Sequence, residues 1–486
     1  MLSRTRSHLI TFFISLLGVG IAVMSGFMAG ANPRLLGLGF AVVPIVAFFF
    51  MQFEVAAVGL LVLRSALDPF SFMQVPAAFA IGVSGLTLLY VVVQLITGKR
   101  VITEKFWWIF AAWTALQSLW LVLMLWGGLG LDASHLQTSL REWVRIFSWL
   151  MVYLLVLQLK DKVYPQVIVS KLFLALIVPS TIALMQIFVP SLLPPIFIGG
   201  GDEFGGISVS VSRVNGTLGH PNTFATFLLL FIGLTLWKLN KAKQRWYWLS
   251  LLGLLAFFYV STKALFSIAM LAVFLIVFIA PKLSLPKIIG SILLFIIAIA
   301  LFASTEFGQQ RLASLASTPL FNSDIDISRA VLLSASDGNS FNWRLAQWTF
   351  LMQAWEQHPI LGYGLATCKQ LTVFDAYAHN DYIRALAEGG IIGFASFILL
   401  LVALFMRVFH IYWTAPLNSK QRNLSLVLLA ILSAIVVGMI SENIWSHTTL
   451  FFYLWTLISV VGWRWEENNL SSKPAYNQVF SKPISN

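Results

Sequence analysis

Stretches of roughly 18 to 25 apolar residues follow one another along this chain, separated by short polar connections, and each is long enough to cross a bilayer as a helix. The pattern predicts spans near 9–30, 35–52, 54–67, 77–97, 105–126, 143–160, 166–190, 222–238, 245–261, 263–280, 286–303, 388–410, 423–443 and 449–464. The run 54–67 is short, and removing it together with 35–52 leaves the alternation of loops unchanged. The expected fold class is therefore an all-α polytopic membrane protein with about 12–14 transmembrane helices. Two connections break the pattern, 191–221 and 304–387. The second is too long for a simple link, and loops of that size usually carry function. Within it, residues 342–355 read as an amphipathic helix lying at a membrane interface, with Ser340 or Asn342 as cap and His358-Pro359 as stop. We expect one transmembrane domain over 1–470, with 191–221 and 304–387 as outer loops. The polar stretch 471–486 reads as a disordered cytoplasmic tail.

Composition sharpens this picture. Of 486 residues, 59% are hydrophobic and only 10% charged, which excludes an ordinary soluble domain. Cys368 is the single cysteine, so an internal disulfide and a cysteine-based metal site are excluded. The histidines show no HExxH or His-x-His spacing, and no metal site is expected. A net charge of +12 could signal nucleic acid. Here the positive-inside bias accounts for it better: with the N-terminus in the cytoplasm, the basic clusters 99–100, 160–162, 238–245, 282–287 and 407–422 all fall inside. The basic residues 4–6 precede an apolar run without a small-x-small cleavage site, so the start of the chain reads as an uncleaved first span.

That topology leaves an unexpected group of basic residues on the outer face: Arg64, Arg141, Arg145, Arg213, Lys263, Arg344 and Arg384, together with His379 and the acid Glu388. Ionisable groups at membrane depth point to function by default. A bound anion would explain cations collected on the side that the positive-inside bias disfavours. Arg213 precedes a Gly- and Pro-containing turn into a helix that Asn222 or Thr223 could cap, and free N–H groups at such a terminus favour anions. Lys263 sits between two short apolar halves. Arg344 offers a fixed fork of donors suited to phosphate oxygens. His379 can take or give a proton near neutral pH, and Asn380, Asp381, Arg384 and Glu388 surround it in sequence. Arg384 and Glu388 stand i, i+4 and can pair with each other. Gly389, Gly390 and Gly393 allow close helix approach.

His379-Asn380-Asp381-Tyr382 through Glu388-Gly389-Gly390-Ile391-Ile392-Gly393 resembles the hallmark of the bacterial O-antigen ligase/polymerase superfamily. Arg213 with Gly216-Thr217 and His220-Pro221-Asn222, then Ser261-Thr262-Lys263-Ala264, then Arg344 followed by 358–364, resemble its other motifs in order. Lys263 stands where the family usually has arginine, and His220 occupies a variable position with no catalytic role. The resemblance implies a metal-independent, cofactor-free glycosyltransferase of the bacterial inner membrane, its site facing the periplasm or cell exterior. It would move a glycan from a polyprenyl diphosphate carrier to a glycan or glycolipid acceptor such as lipid A-core, with inversion. The expected partners are that donor, the acceptor and membrane lipids, and no nucleic acid. In this scheme Arg344, Lys263 and Arg213 hold the diphosphate, with Arg344 also catalytic, His379 is the base, and Asn380 and Glu388 support it. A polymerase of carrier-linked repeat units and a protein O-glycosyltransferase share these needs. A transporter or flippase is the alternative from another class. It would place its polar sites near the bilayer midplane.

Overall fold

The computed structural model describes residues 33–198, 213–284 and 327–465, apart from 128, 130–132, 241 and 337–339, with two short strands and isolated positions elsewhere. The expected spans 9–30 and 286–303 and the tail 471–486 lie wholly or largely outside the described residues. Within them the chain is helical: α1 Pro33–Met51, α2 Phe53–Leu63, α3 Val75–Ile96, α4 Lys105–Leu125, α5 Leu136–Leu157, α6 Pro165–Leu172, α7 Ile177–Phe188, α8 Pro221–Leu239, α9 Arg245–Ser261, α10 Leu265–Ile279, α11 Ile327–Ser336, α12 Ser340–Gln357, α13 Asp381–Thr414, α14 Lys420–Gly438 and α15 Thr448–Val461. The strands Glu203–Phe204 and Ile207–Ser208 pair antiparallel inside the first long loop.

Six of the helical segments are long and apolar enough to cross a membrane: α3, α4, α6 with α7, α8, α13 and α14. The protein is an all-α, multi-pass membrane protein. The pair 35–52 and 54–67 is one broken element, bent by 119° at Gln52. The helices α10 and α15 are apolar but shorter. Large side chains such as Met51, Trp126 and Val260 are more than three-quarters exposed, which suits a lipid-facing surface. In contrast, α8 is buried at nearly every position from Phe224 to Thr235 and runs through the centre of the bundle. Gly233 permits this: a Cβ there would stand 2.9 Å from Val427 of α14.

The longest helix, α13, is two helices joined at Gly390, whose φ of 59° and ψ of −163° break the helical path. The break leaves carbonyls and N–H groups without helical partners, and the segment 359–364 takes them. Tyr363 N–H donates to Ala387 O (3.1 Å) and Gly364 N–H to Glu388 O (2.8 Å). In return, Ile391 N–H donates to Pro359 O (2.8 Å) and Ile392 N–H to Ile360 O (3.3 Å). Glycine is required on both sides of this joint. A Cβ on Gly390 would collide with the Ile360 carbonyl, and one on Gly362 would come 2.5 Å from Ala387 O. Trp120 of α4 closes the joint by donating its indole N–H to Leu361 O at 2.7 Å.

Candidate functional site

The loop 358–380 is fixed by three devices. The joint anchors its start. Glu388 then holds its middle: one carboxylate oxygen accepts the Ala366 N–H at 2.8 Å, the other the Cys368 N–H at 3.4 Å and the Arg384 Nε at 3.0 Å. The indole of Trp348 and the amide of Gln347, both on α12, donate to Ala378 O (2.6 Å) and Ala376 O (2.7 Å) and hold its end. Trp348 and Trp343 of this helix thus contact the segment that carries His379. Cys368 is fully buried; burial first, then the neighbouring Glu388, pushes its thiol well above its ordinary range, so it is inert.

His379 ends the loop in a left-handed conformation, φ 47°, uncommon for a side-chain-bearing residue. Its backbone N–H donates to Asn443 Oδ1 at 2.8 Å. Its Nδ1 lies 3.2 Å from Oε1 of Glu442, and its ring meets Trp343 edge-on at 5.8 Å. Glu442 also accepts the Asn443 N–H at 3.0 Å and a hydrogen bond from Asn222 Nδ2. The Asn222 Oδ1 in turn accepts from Arg213 Nη2 at 2.9 Å. A continuous polar chain therefore runs Arg213–Asn222–Glu442–His379 and ties together segments far apart in sequence.

Burial alone would push the Glu442 carboxyl up. The hydrogen bond from His379 and the positive charge of Arg344 work against it, and the group is held well below the usual carboxylate range. Glu442 is thus a carboxylate, and an acceptor only. Nδ1 of His379 must carry the proton it donates, which leaves the basic lone pair on Nε2. His447 nearby is buried and bonded to Thr226 Oγ1 at 2.9 Å. Burial is the main reason its imidazole falls to about 3, so it stays neutral at physiological pH.

Arg213 also donates Nε to Thr262 O at 3.0 Å, and Val214 N–H donates to Ser261 O at 3.2 Å. These bonds stitch the 213–222 turn to the turn bearing Lys263, whose side chain is exposed and whose φ is 50°. Arg344 is partly buried in the first half of α12. Its Nε is inaccessible to solvent and has no hydrogen-bond partner among the described residues. An unsatisfied buried guanidinium nitrogen is costly and expects an acceptor.

The other expected site residues take structural places. Asn380 caps α13, its Oδ1 accepting from the N–H groups of Tyr382 (3.0 Å) and Ile383 (3.1 Å). Helix α8 is capped by His220, whose Nδ1 accepts the Asn222 N–H at 3.0 Å, and not by Asn222 or Thr223. That arrangement frees the Asn222 side chain to bridge Arg213 and Glu442. Most of the other arginines expected on the outer face are absorbed in buried pairs: Arg64 with Asp68 (2.6 Å), Arg145 with Glu142, and Arg384 with Glu142 and Glu388 (3.0 Å each). Among the described residues no group of three or more His, Cys, Asp or Glu side chains could hold a metal ion.

Residues 248–398 match the family described as O-antigen ligase. Over this stretch the chain is similar to that family. The match includes Lys263, Arg344 and His379, and it excludes Arg213 and Glu442. A Rickettsia conorii protein named "Putative polysaccharide ligase" is 28% identical over 131 residues, 24% of this chain and 30% of that relative's length.

Proposed function

We propose that this membrane protein transfers a glycan from a polyprenyl diphosphate carrier to an acceptor hydroxyl on lipid A-core or another surface glycan, at the outer face of the bacterial inner membrane. The observation that carries the proposal is the Glu442–His379 pair standing within the field of Arg344, whose buried Nε lacks an acceptor among the described residues. The acceptor oxygen attacks the anomeric carbon while the bond from that carbon to the diphosphate oxygen breaks. The diphosphate leaves with the electron pair, and the hydroxyl proton passes to His379 Nε2. Glu442 stabilises the imidazolium that forms. Arg344, together with Lys263 and Arg213, neutralises the charge growing on the leaving group. A single displacement of this kind inverts the anomeric centre. In this reading Asn380 and Glu388 act by fixing the loop and helix that present His379.

The geometry serves any acceptor hydroxyl, so another carrier-linked glycan or a protein side chain would be used in the same way. The test is transfer by purified full-length protein in detergent with EDTA, using a polyprenyl diphosphate glycan and a panel of acceptors. Transfer by wild type that is lost in both His379→Ala and Arg344→Ala is the expected result. Transfer that survives both substitutions would remove the site, and a product of retained configuration would reject the single displacement.

A further inference from the structure

Two lysines from different helices line one cavity at the other end of the bundle. Lys238 lies in the last turn of α8, and Lys420 is the first residue of α14. Asn222 opens α8 and Glu442 follows α14, so the cavity and the His379 site lie at opposite ends of the same two helices. Each helix has 19 residues, a length of about 28 Å, close to the hydrocarbon thickness of a bilayer. The cavity measures about 240 Å³ and is lined chiefly by Gln166, Trp237, Lys238, Trp248, Lys420 and Asn423, with no carboxylate among the described residues.

The groups are held in place. Lys238 Nζ donates to Ser170 Oγ at 2.5 Å and lies 5.1 Å and 5.8 Å from the Trp237 and Trp248 ring centres. Lys420 Nζ donates to Gln166 Oε1 at 3.1 Å, and the Trp237 indole N–H donates to Lys420 O at 2.9 Å. These contacts orient the ammonium groups toward one cavity, and an anion between them would offset their mutual repulsion. Gln166 and Lys420 stand in the first turns of α6 and α14, where free backbone N–H groups add to the positive potential. Trp246, Tyr247 and Trp413 are 65%, 63% and 70% exposed on the flanking segments, the aromatic belt expected at headgroup depth.

We propose that this cavity binds the phosphate of an anionic phospholipid in the leaflet opposite the glycan-transfer site. A phosphodiester headgroup and free phosphate share the recognising chemistry; the aromatic belt and the position at a helix end favour the lipid. The test uses the full chain, stripped of lipid in neutral detergent. Dioleoyl phosphatidylglycerol or dioleoyl phosphatidylcholine is then added, and binding is followed by native mass spectrometry and by the thermal midpoint. Phosphatidylglycerol should bind at least about ten-fold tighter than phosphatidylcholine, and Lys238→Gln and Lys420→Gln should each weaken it about five-fold. The Lys238→Arg/Lys420→Arg pair should retain binding, as should Arg344→Ala, so the result is independent of the transfer reaction. Equal binding of the two lipids overturns the proposal. So does phosphatidylglycerol binding that is unchanged in the folded double glutamine variant. Should that variant not fold, the lipid preference of wild type and of the arginine pair decides. Displacement of the lipid by millimolar sodium phosphate would assign the site to the soluble anion and overturn the lipid assignment.

Discussion

Glu442→Gln is the substitution that asks most of the proposed mechanism, because it preserves shape and removes only charge. The carboxylate accepts from three donors: Asn222 Nδ2, the Asn443 N–H and His379 Nδ1. An amide cannot do the same. With its oxygen toward Asn443 and His379, its NH2 faces the Asn222 NH2, and Asn222 cannot flip without turning that NH2 toward Arg213 Nη2. With its oxygen toward Asn222, its NH2 faces the Asn443 N–H and forces His379 into the tautomer with its lone pair on Nδ1. Either arrangement loses at least one charge-assisted bond, about 1.5–3 kcal/mol, and the counter-charge for the imidazolium. At about 1.36 kcal/mol per tenfold in rate, we expect kcat to fall by about 10- to 100-fold from the bond alone. The wrong tautomer would deepen that loss further. The assay is single-turnover transfer with saturating donor, comparing kcat and KM. A purely structural role would change the two together or reduce the folded fraction. Placed on His379→Ala, the Glu442→Gln change should cost nothing more, since Glu442 acts through the histidine. A wild-type kcat in Glu442→Gln would refute the assignment, and full additivity with His379→Ala would refute the coupling.

Other substitutions separate the scaffold from the site. Gly390→Ala should destabilise the protein by about 2–4 kcal/mol, because a side chain there meets the Ile360 carbonyl at positive φ. Gly389→Ala, whose Cβ would lie an ordinary 3.6 Å from Trp120, should stay close to wild type in the same thermal melts. Arg384→Met should cost about 3–5 kcal/mol by stranding the buried Glu142 and Glu388, whereas Arg344→Ala should leave the melting midpoint nearly unchanged and abolish transfer. Glu442 has a folded-state pKa below its unfolded value, so the stability it contributes is fully present above about pH 5 and is lost as the pH falls further. The midpoint of wild type should therefore drop more steeply between about pH 5 and 3 than that of Glu442→Gln, and parallel curves would contradict the depressed pKa.

The helical, membrane-crossing character was legible because apolar runs of bilayer length leave little choice of structure. The broken pair α1 and α2 was signalled only by the shortness of 54–67. The cations Arg213 and Lys263 were legible as members of one group, and two stitching bonds bring their turns together. Glu442 was missed because an acid beside a span reads as an ordinary loop residue. A signal was present, since Glu442 is the single carboxylate between Arg422 and Arg464. Asn222 was read as a cap because capping preference is a local property. Its actual use depends on His220 taking the cap, and no local rule assigns two neighbouring candidates to two jobs.

The glycines at 362, 364, 389, 390 and 393 look from sequence like two separate signatures, one in a loop and one in a helix. The structure makes the nearer pairs into a single joint, since the helix can break at Gly390 only where another chain segment supplies the missing partners, and the 359–364 segment is that supplier. The break also decides where the chemistry can stand. A continuous α13 of 34 residues would run about 51 Å, well beyond the bilayer, and would carry His379 away from the bundle. Interrupted at Gly390, its first turns are instead pinned to the end of α14, through Asp381 N–H to Met439 O at 2.9 Å and the Tyr382 hydroxyl to Val436 O at 2.7 Å. That docking sets the His379 backbone against Asn443 and its ring against Glu442. Mutations at the joint should consequently reach the histidine through the backbone, with loss of transfer that tracks loss of the folded state.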